Sequence, residues 1–174
     1  MKKNMYFSVI ILTLSIICFS GSTSFARVFD ADATAKLEVI SESLTAGHVV
    51  KIRRLISTGG DVNVKNIYSA TLLYMATQNN LPEIVKLLLE LDANVNTRKT
   101  NGVTPLWKAA QAGNAEILKL LLDAGADTNV ARMKDNATPL SIASSNGHTK
   151  IIELLKSHNK VKVAHQSNTD AVKN

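Results

Sequence analysis

The sequence predicts an all-α fold: a solenoid of about four helix-turn-helix units joined by extended β-turn loops. Three observations predict it. Thr71-Leu72-Leu73, Thr104-Pro105-Leu106 and Thr138-Pro139-Leu140 recur at spacings of 33 and 34 residues, a period typical of stacked repeats. The register holds downstream, where Ala76, Ala109 and Ala143 align, as do Asn80, Gly113 and Gly147, and the pairs Leu88-Leu89, Leu121-Leu122 and Leu154-Leu155 follow. The composition is 45% hydrophobic but only 5% aromatic, which makes the core of such a stack mostly aliphatic.

Taken in chain order, residues 1–26 read as a secretory signal peptide. Lys2 and Lys3 precede a nearly unbroken apolar run from Tyr6 to Phe19, and Ser24-Phe25-Ala26 offers small residues at a cleavage site after Ala26. The alternative, an uncleaved anchor, needs ~20 apolar residues to span a bilayer, and the run is shorter. Cys18 is the single cysteine. Ile17 before it is too large for a lipoprotein signal, and cleavage leaves a mature chain without disulfides, stabilised by packing. The expected address is therefore exported, periplasmic or secreted, with no stable membrane insertion after cleavage.

The repeat domain is expected over 31–158. It divides into a degenerate N-terminal unit (31–66), repeats at about 67–99 and 100–133, and a C-terminal unit (134–158). In the N-terminal unit Leu37, Ile40 and Leu44 form an inward stripe, and Lys51, Arg53 and Arg54 turn a polar face to water, as a terminal unit must. In the best-formed unit, Thr104 caps a helix and Pro105 suits its first position. Gly113 ends that helix through a left-handed turn. A second helix over about Ala115 to Asp123 carries Ile117, Leu118, Leu121 and Leu122 at helical spacing, and Gly125 closes it. The stretch from Ala126 onward is rich in Asp and Asn and reads as an extended turn. From Asn159 the chain is polar and unpatterned, so 159–174 reads as a flexible tail, with ordering on a partner as the second reading.

Gly102-Val103-Thr104-Pro105-Leu106-Trp107-Lys108-Ala109-Ala110, with the later Gly, Leu-Leu and Gly125-Ala126-Asp127 positions, resembles the ankyrin repeat, and the resemblance covers roughly 31–158. It departs at three places. Tyr74, Trp107 and Ser141 replace the histidine that ties adjacent repeats in that family, Leu72 replaces the proline, and Asp92 replaces the helix-ending glycine. Asp tolerates a left-handed turn less well than Gly, so the first full repeat is expected to be the softer one.

The resemblance implies a protein partner docked on a concave face made by the turn tips and the first helices. The candidate contact residues are Tyr68, Tyr74, Gln78, Arg98, Lys99, Asn101, Val103, Trp107, Lys108, Gln111, Arg132, Lys134 and Asp135. Aromatic and Arg side chains are the usual anchors of an interface. Trp107, the only tryptophan, reads two ways, as such an anchor or as packing at the family's histidine position. Arg98, Lys99 and Arg132 point to an acidic partner face, or are simply solvated turn residues.

Other chemistry is sparse. His48 and His148 stand at the family's Gly-His position and are expected to make local hydrogen bonds. No zinc-ligand spacing, nucleophile motif or phosphate loop is present, so no cofactor, metal or catalytic residue is assigned. Setting aside Lys2 and Lys3 leaves 18 basic against 14 acidic residues, a net of +4. No Lys/Arg block exceeds a pair, which argues against nucleic-acid binding. The expectation is a monomeric, non-catalytic interaction module outside the cytoplasm. A secreted effector acting on a host protein is the second reading, and a small enzyme or ligand carrier the third.

Overall fold

Each of three threonines opens a helix by accepting a backbone N–H on its own hydroxyl. Thr71 Oγ1 takes Tyr74 N at 3.3 Å, Thr104 Oγ1 takes Trp107 N at 3.2 Å and Thr138 Oγ1 takes Ser141 N at 3.2 Å. Caps of this kind contribute about 1 kcal/mol each. Pro105 and Pro139 follow at first helical positions where no N–H is needed.

The computed structural model describes Lys36 and residues 44–171, with side chains to residue 160. The signal segment (1–26), Leu37, Ile40 and the beginning of the N-terminal unit lie outside the described residues. Among those described, a 3-10 turn at Ala46–His48 precedes seven helices. These are α1 (Val49–Ser57), α2 (Leu72–Gln78), α3 (Pro82–Glu90), α4 (Pro105–Ala112), α5 (Ala115–Asp123), α6 (Pro139–Ser145) and α7 (Thr149–Ala171). The order repeats a short first helix and a longer second one. First helices α2, α4 and α6 pack in one row, second helices α1, α3, α5 and α7 in another, and the two rows pack on each other. The result is the all-α solenoid expected from the repeat.

The core lies between the rows. Leu73, Ala76, Leu106, Ala109, Ala110 and Ala143 enter it from the first helices, and Ile52, Ile84, Leu88, Ile117, Leu121, Ile151 and Leu155 from the second, all buried. Small Ala109 and Ala110 let neighbouring backbones approach. Leu44 is buried in the same core, as its stripe predicts, while Lys51, Arg53 and Arg54 are exposed. Arg53 lies 3.6 Å from Glu90 in an exposed pair, a geometry that contributes about 0–1 kcal/mol.

Adjacent units are stitched by side-chain amides. Asn63 Oδ1 accepts Asn94 N at 2.8 Å, and Asn96 Oδ1 accepts Asp127 N at 2.9 Å. Between the helices, Asn79 Nδ2 donates to Leu44 O and Asn146 Nδ2 to Gln111 O. His48 Nδ1 meets Thr45 within its own turn, as expected locally, whereas His148 Nε2 meets Gln111 O of the preceding unit at 3.1 Å.

The turns need left-handed backbone at recurring places. Asn80, Gly113 and Gly147 adopt φ of 54°, 75° and 71° between the two helices of a unit, and Gly59, Asp92 and Gly125 adopt 95°, 59° and 82° after the second. Asp92 thus holds a conformation that L-residues resist, where its counterparts are glycine. Asp92→Gly is expected to raise the unfolding free energy by about 0.5–1 kcal/mol, read as a higher urea midpoint. A lower midpoint would show that the Asp92 carboxylate stabilises the turn by more than its φ costs.

One expectation is corrected. The chain beyond Asn159 is helical: α7 continues to Ala171, where the sequence predicts a flexible tail. Once a helix has nucleated, each further residue adds a hydrogen bond for little cost, and no Pro or Gly follows Thr149 to stop it. The extension also has a tie to the body, since Thr128 Oγ1 donates to Asn159 Oδ1 at 2.8 Å.

Candidate functional site

The tips are the hairpin-like turns that precede α2, α4 and α6. In the first, Asn66 N donates to Ala70 O; in the second, Lys99 N donates to Val103 O; in the third, Arg132 N donates to Ala137 O, each at 3.0 Å. The third tip closes over one more residue than the second, which accounts for the 34-residue step. Ser69, Gly102 and Asn136 supply the positive φ of each tip. A Cβ on Gly102 would lie 2.7 Å from Met133 Cγ and 3.0 Å from Met133 N, so only glycine lets the second and third tips meet there. They do meet: Met133 N donates to Asn101 O at 3.2 Å, and Thr100 Oγ1 donates to Tyr68 O at 3.1 Å. The tips therefore form one continuous, cross-linked edge rather than three loose loops.

The same register sets a recurring clasp. The Lys99 ammonium lies 5.6 Å from the centre of the Tyr74 ring, and the Arg132 guanidinium 4.8 Å from that of Trp107. In each case a cation of one tip covers the aromatic side chain of the preceding first helix. Lys99 also stands 5.7 Å over Tyr68. Such contacts contribute about 0.5–2 kcal/mol, more where water is excluded. Trp107 Nε1 further donates to Ala137 O at 2.7 Å. That bond replaces the tie expected of the family's histidine. Ser141 instead returns its hydroxyl to Thr138 O within its own turn.

These contacts correct three of the contact candidates. Trp107 and Val103 are 2% exposed and Tyr74 5%, in a cluster with Ala70. They hold one unit to the next and offer almost no surface to a partner. Burial pushes the Tyr74 hydroxyl pKa up. Of the remaining candidates, Tyr68, Gln78, Arg98, Asn101, Lys134 and Asp135 are exposed, and Lys99, Lys108, Gln111 and Arg132 are partly so. Lys108 Nζ donates to Gln111 Oε1 at 3.0 Å on α4. Arg132 Nε donates to Asp135 Oδ1 at 2.8 Å, and its Nη2 also meets Asp135 Oδ2. The hydrogen bonds from Arg132 hold the Asp135 carboxyl down at about 2, and Asp135 in turn raises the Arg132 pKa.

Three tip residues stand out only in the structure. Ile67 is 76% exposed and Met133 67%, beside Tyr68 at 62%. Bulky apolar side chains this exposed mark an interaction surface when they gather at one edge. Lys65, also exposed, stands 33 residues before Arg98. The available signal was positional: all three fall in the turn segment of their unit.

On the second-helix side, a groove of about 500 Å³ runs between α1, α3 and α5, lined by Val49, Arg53, Lys86, Leu87, Glu90 and Leu120 among others. It is open and carries both signs of charge, without a converging polar set. Among the described residues no cluster of three or more His, Cys, Asp or Glu is placed to hold a metal ion.

A family model described as ankyrin repeats (three copies) matches residues 40–132 and 73–170. No curated protein matches the chain.

Proposed function

This chain belongs to the ankyrin-repeat family, and we propose that it is a non-catalytic adaptor acting outside the cytoplasm, with its tips and the exposed side of its first helices turned to a protein partner. Repeats of this family are protein–protein interaction modules. The observation that carries the reading is the cross-linked edge of tips bearing Ile67, Tyr68 and Met133 in water. A surface already fixed in place loses little conformational entropy on binding, and its apolar residues gain by being covered. The extracytoplasmic address is supported by Lys2-Lys3, the apolar run to Phe19 and the small-residue site at Ser24-Phe25-Ala26. No helix among the described residues is long and apolar enough to cross a membrane.

Affinity capture with mass spectrometry from periplasmic, secreted and host extracts tests this, with wild type set against Tyr68→Ala/Arg98→Ala. A partner held by wild type and lost from the folded double variant is the expected result. Equal recovery by both proteins would move the contact surface elsewhere, and a protein that folds well yet captures nothing would remove the adaptor reading. Fractionation of the native host settles the address: retention in the cytoplasm excludes export.

A further inference from the structure

Charge is sorted by side of the array. From Lys65 to Ser145 the tips and first helices carry six cations, Lys65, Arg98, Lys99, Lys108, Arg132 and Lys134, and one carboxylate, Asp135. That carboxylate is already paired with Arg132 inside its own turn. The second helices and following turns of the two central repeats reverse the balance, with Glu83, Glu90, Asp92, Glu116, Asp123 and Asp127 against Lys86 and Lys119. The net charge therefore gathers on a basic edge, while the back is acidic only over the two central repeats, since α1 and α7 as far as Lys160 add Lys51, Arg53, Arg54, Lys150, Lys156 and Lys160 against Glu153.

We propose that the tip edge takes an extended acidic segment of a protein, with a carboxylate at about every third residue and bulky apolar side chains at its ends; this rests on the interaction reading above and names the chemistry of the partner. The spacing follows from the fold. Packed helices stand about 8–10 Å apart, and adjacent tips touch through Tyr68–Thr100 and Asn101–Met133. An extended chain advances about 3.3 Å per residue, so about three residues pass each tip. A carboxylate at that interval meets the cations of successive tips in turn. Among the described residues the exposed apolar side chains of the edge stand on its first and third tips, Ile67 and Tyr68 on one and Met133 on the other.

Opposite charge steers and registers such a segment, while the apolar ends supply burial. A nucleic acid fits less well. Its bases need exposed aromatic platforms at successive positions, and of the three aromatic residues at the edge only Tyr68 is exposed, Tyr74 and Trp107 being buried. Ile67 and Met133 would face phosphates to no purpose.

The test uses the purified protein and a labelled peptide spanning three tips, with Glu at every third position and Leu at both ends, beside its Gln counterpart. The Glu peptide is expected to bind, with affinity falling as salt rises, and the Gln peptide to bind far more weakly. Arg98→Glu/Lys134→Glu is expected to weaken the Glu peptide about tenfold. Both positions are exposed, so unchanged circular dichroism is the accompanying check on folding. Arg132 is left intact because it also clasps Trp107. Met133→Ser is expected to weaken binding while preserving the salt dependence. No binding of the Glu peptide at low salt, equal binding of the Gln peptide, indifference to the double reversal, or tighter binding of a single-stranded oligonucleotide would each overturn the assignment. A natural partner captured equally by wild type and by the double reversal would overturn it too, while leaving the adaptor reading in place.

Discussion

Trp107→Ala is expected to lower the unfolding free energy by about 3–5 kcal/mol, the range for removing a buried aromatic side chain. Three losses combine. The ring leaves a cavity in a site where it is 2% exposed. Ala137 O loses the indole N–H that reaches it at 2.7 Å, and Arg132 loses the ring face it covers at 4.8 Å. All three join α4 to the tip of the following unit, so the damage falls on the contact between repeats. Trp107→Phe separates the parts. It keeps most of the packing and gives up the hydrogen bond, and is expected to cost about 0.5–1.5 kcal/mol. Urea unfolding followed by far-ultraviolet circular dichroism measures both, since each substitution removes the only tryptophan. An alanine variant within about half a kcal/mol of wild type would show that the ring is no tie between repeats. The same figures make Trp107→Ala a poor probe of partner contact, because a typical domain is stable by only 5–15 kcal/mol.

The helices were legible because their signals are local. Thr-Pro states a cap and a fixed φ in two adjacent residues, and the recurrence of Leu-Leu pairs states which face is buried. Asp92 was legible as a departure because the positions before and after it in register are glycine, and its φ of 59° agrees. Which of its two readings Trp107 takes was not legible, because its partners stand 25 and 30 residues further along and the extra residue of the third tip decides where they fall. The basic edge was legible only in part, since Arg98, Lys99 and Arg132 already pointed to an acidic partner face while Lys65 did not stand out. Read along the chain, Lys65, Arg98-Lys99 and Arg132 are scattered singles and pairs; only the stacking of units brings them onto one edge. The last helix was misread in the opposite sense. Polarity from Asn159 onward argued for a tail, but a helix already anchored by Ile151 and Leu155 in the core needs no apolar stripe of its own to continue.

Leu121→Ala is expected to cost about 2–5 kcal/mol, and more than Leu155→Ala at the matching position of the last unit. Leu121 is fully buried on α5, and Leu155 is almost as buried on α7, so the side chains removed are alike. What differs is the place in the row. α5 packs on α3 before it and α7 after it, whereas among the described residues α7 has only α5 beside it in its row. In a linear array, stability is close to a sum of unit terms and nearest-neighbour terms. Loosening a central unit weakens two interfaces and cuts the array into short pieces, each below the ~3 repeats that a stable stack needs. Loosening the last unit weakens one interface and leaves a longer stack behind. Leu121→Ala should therefore lower the single unfolding midpoint of the whole domain, while Leu155→Ala should produce an early, partial loss of helix before the main transition. Equal effects from the two substitutions would mean that the domain unfolds as one indivisible unit. A loss below half a kcal/mol at Leu121 would place that side chain outside the core.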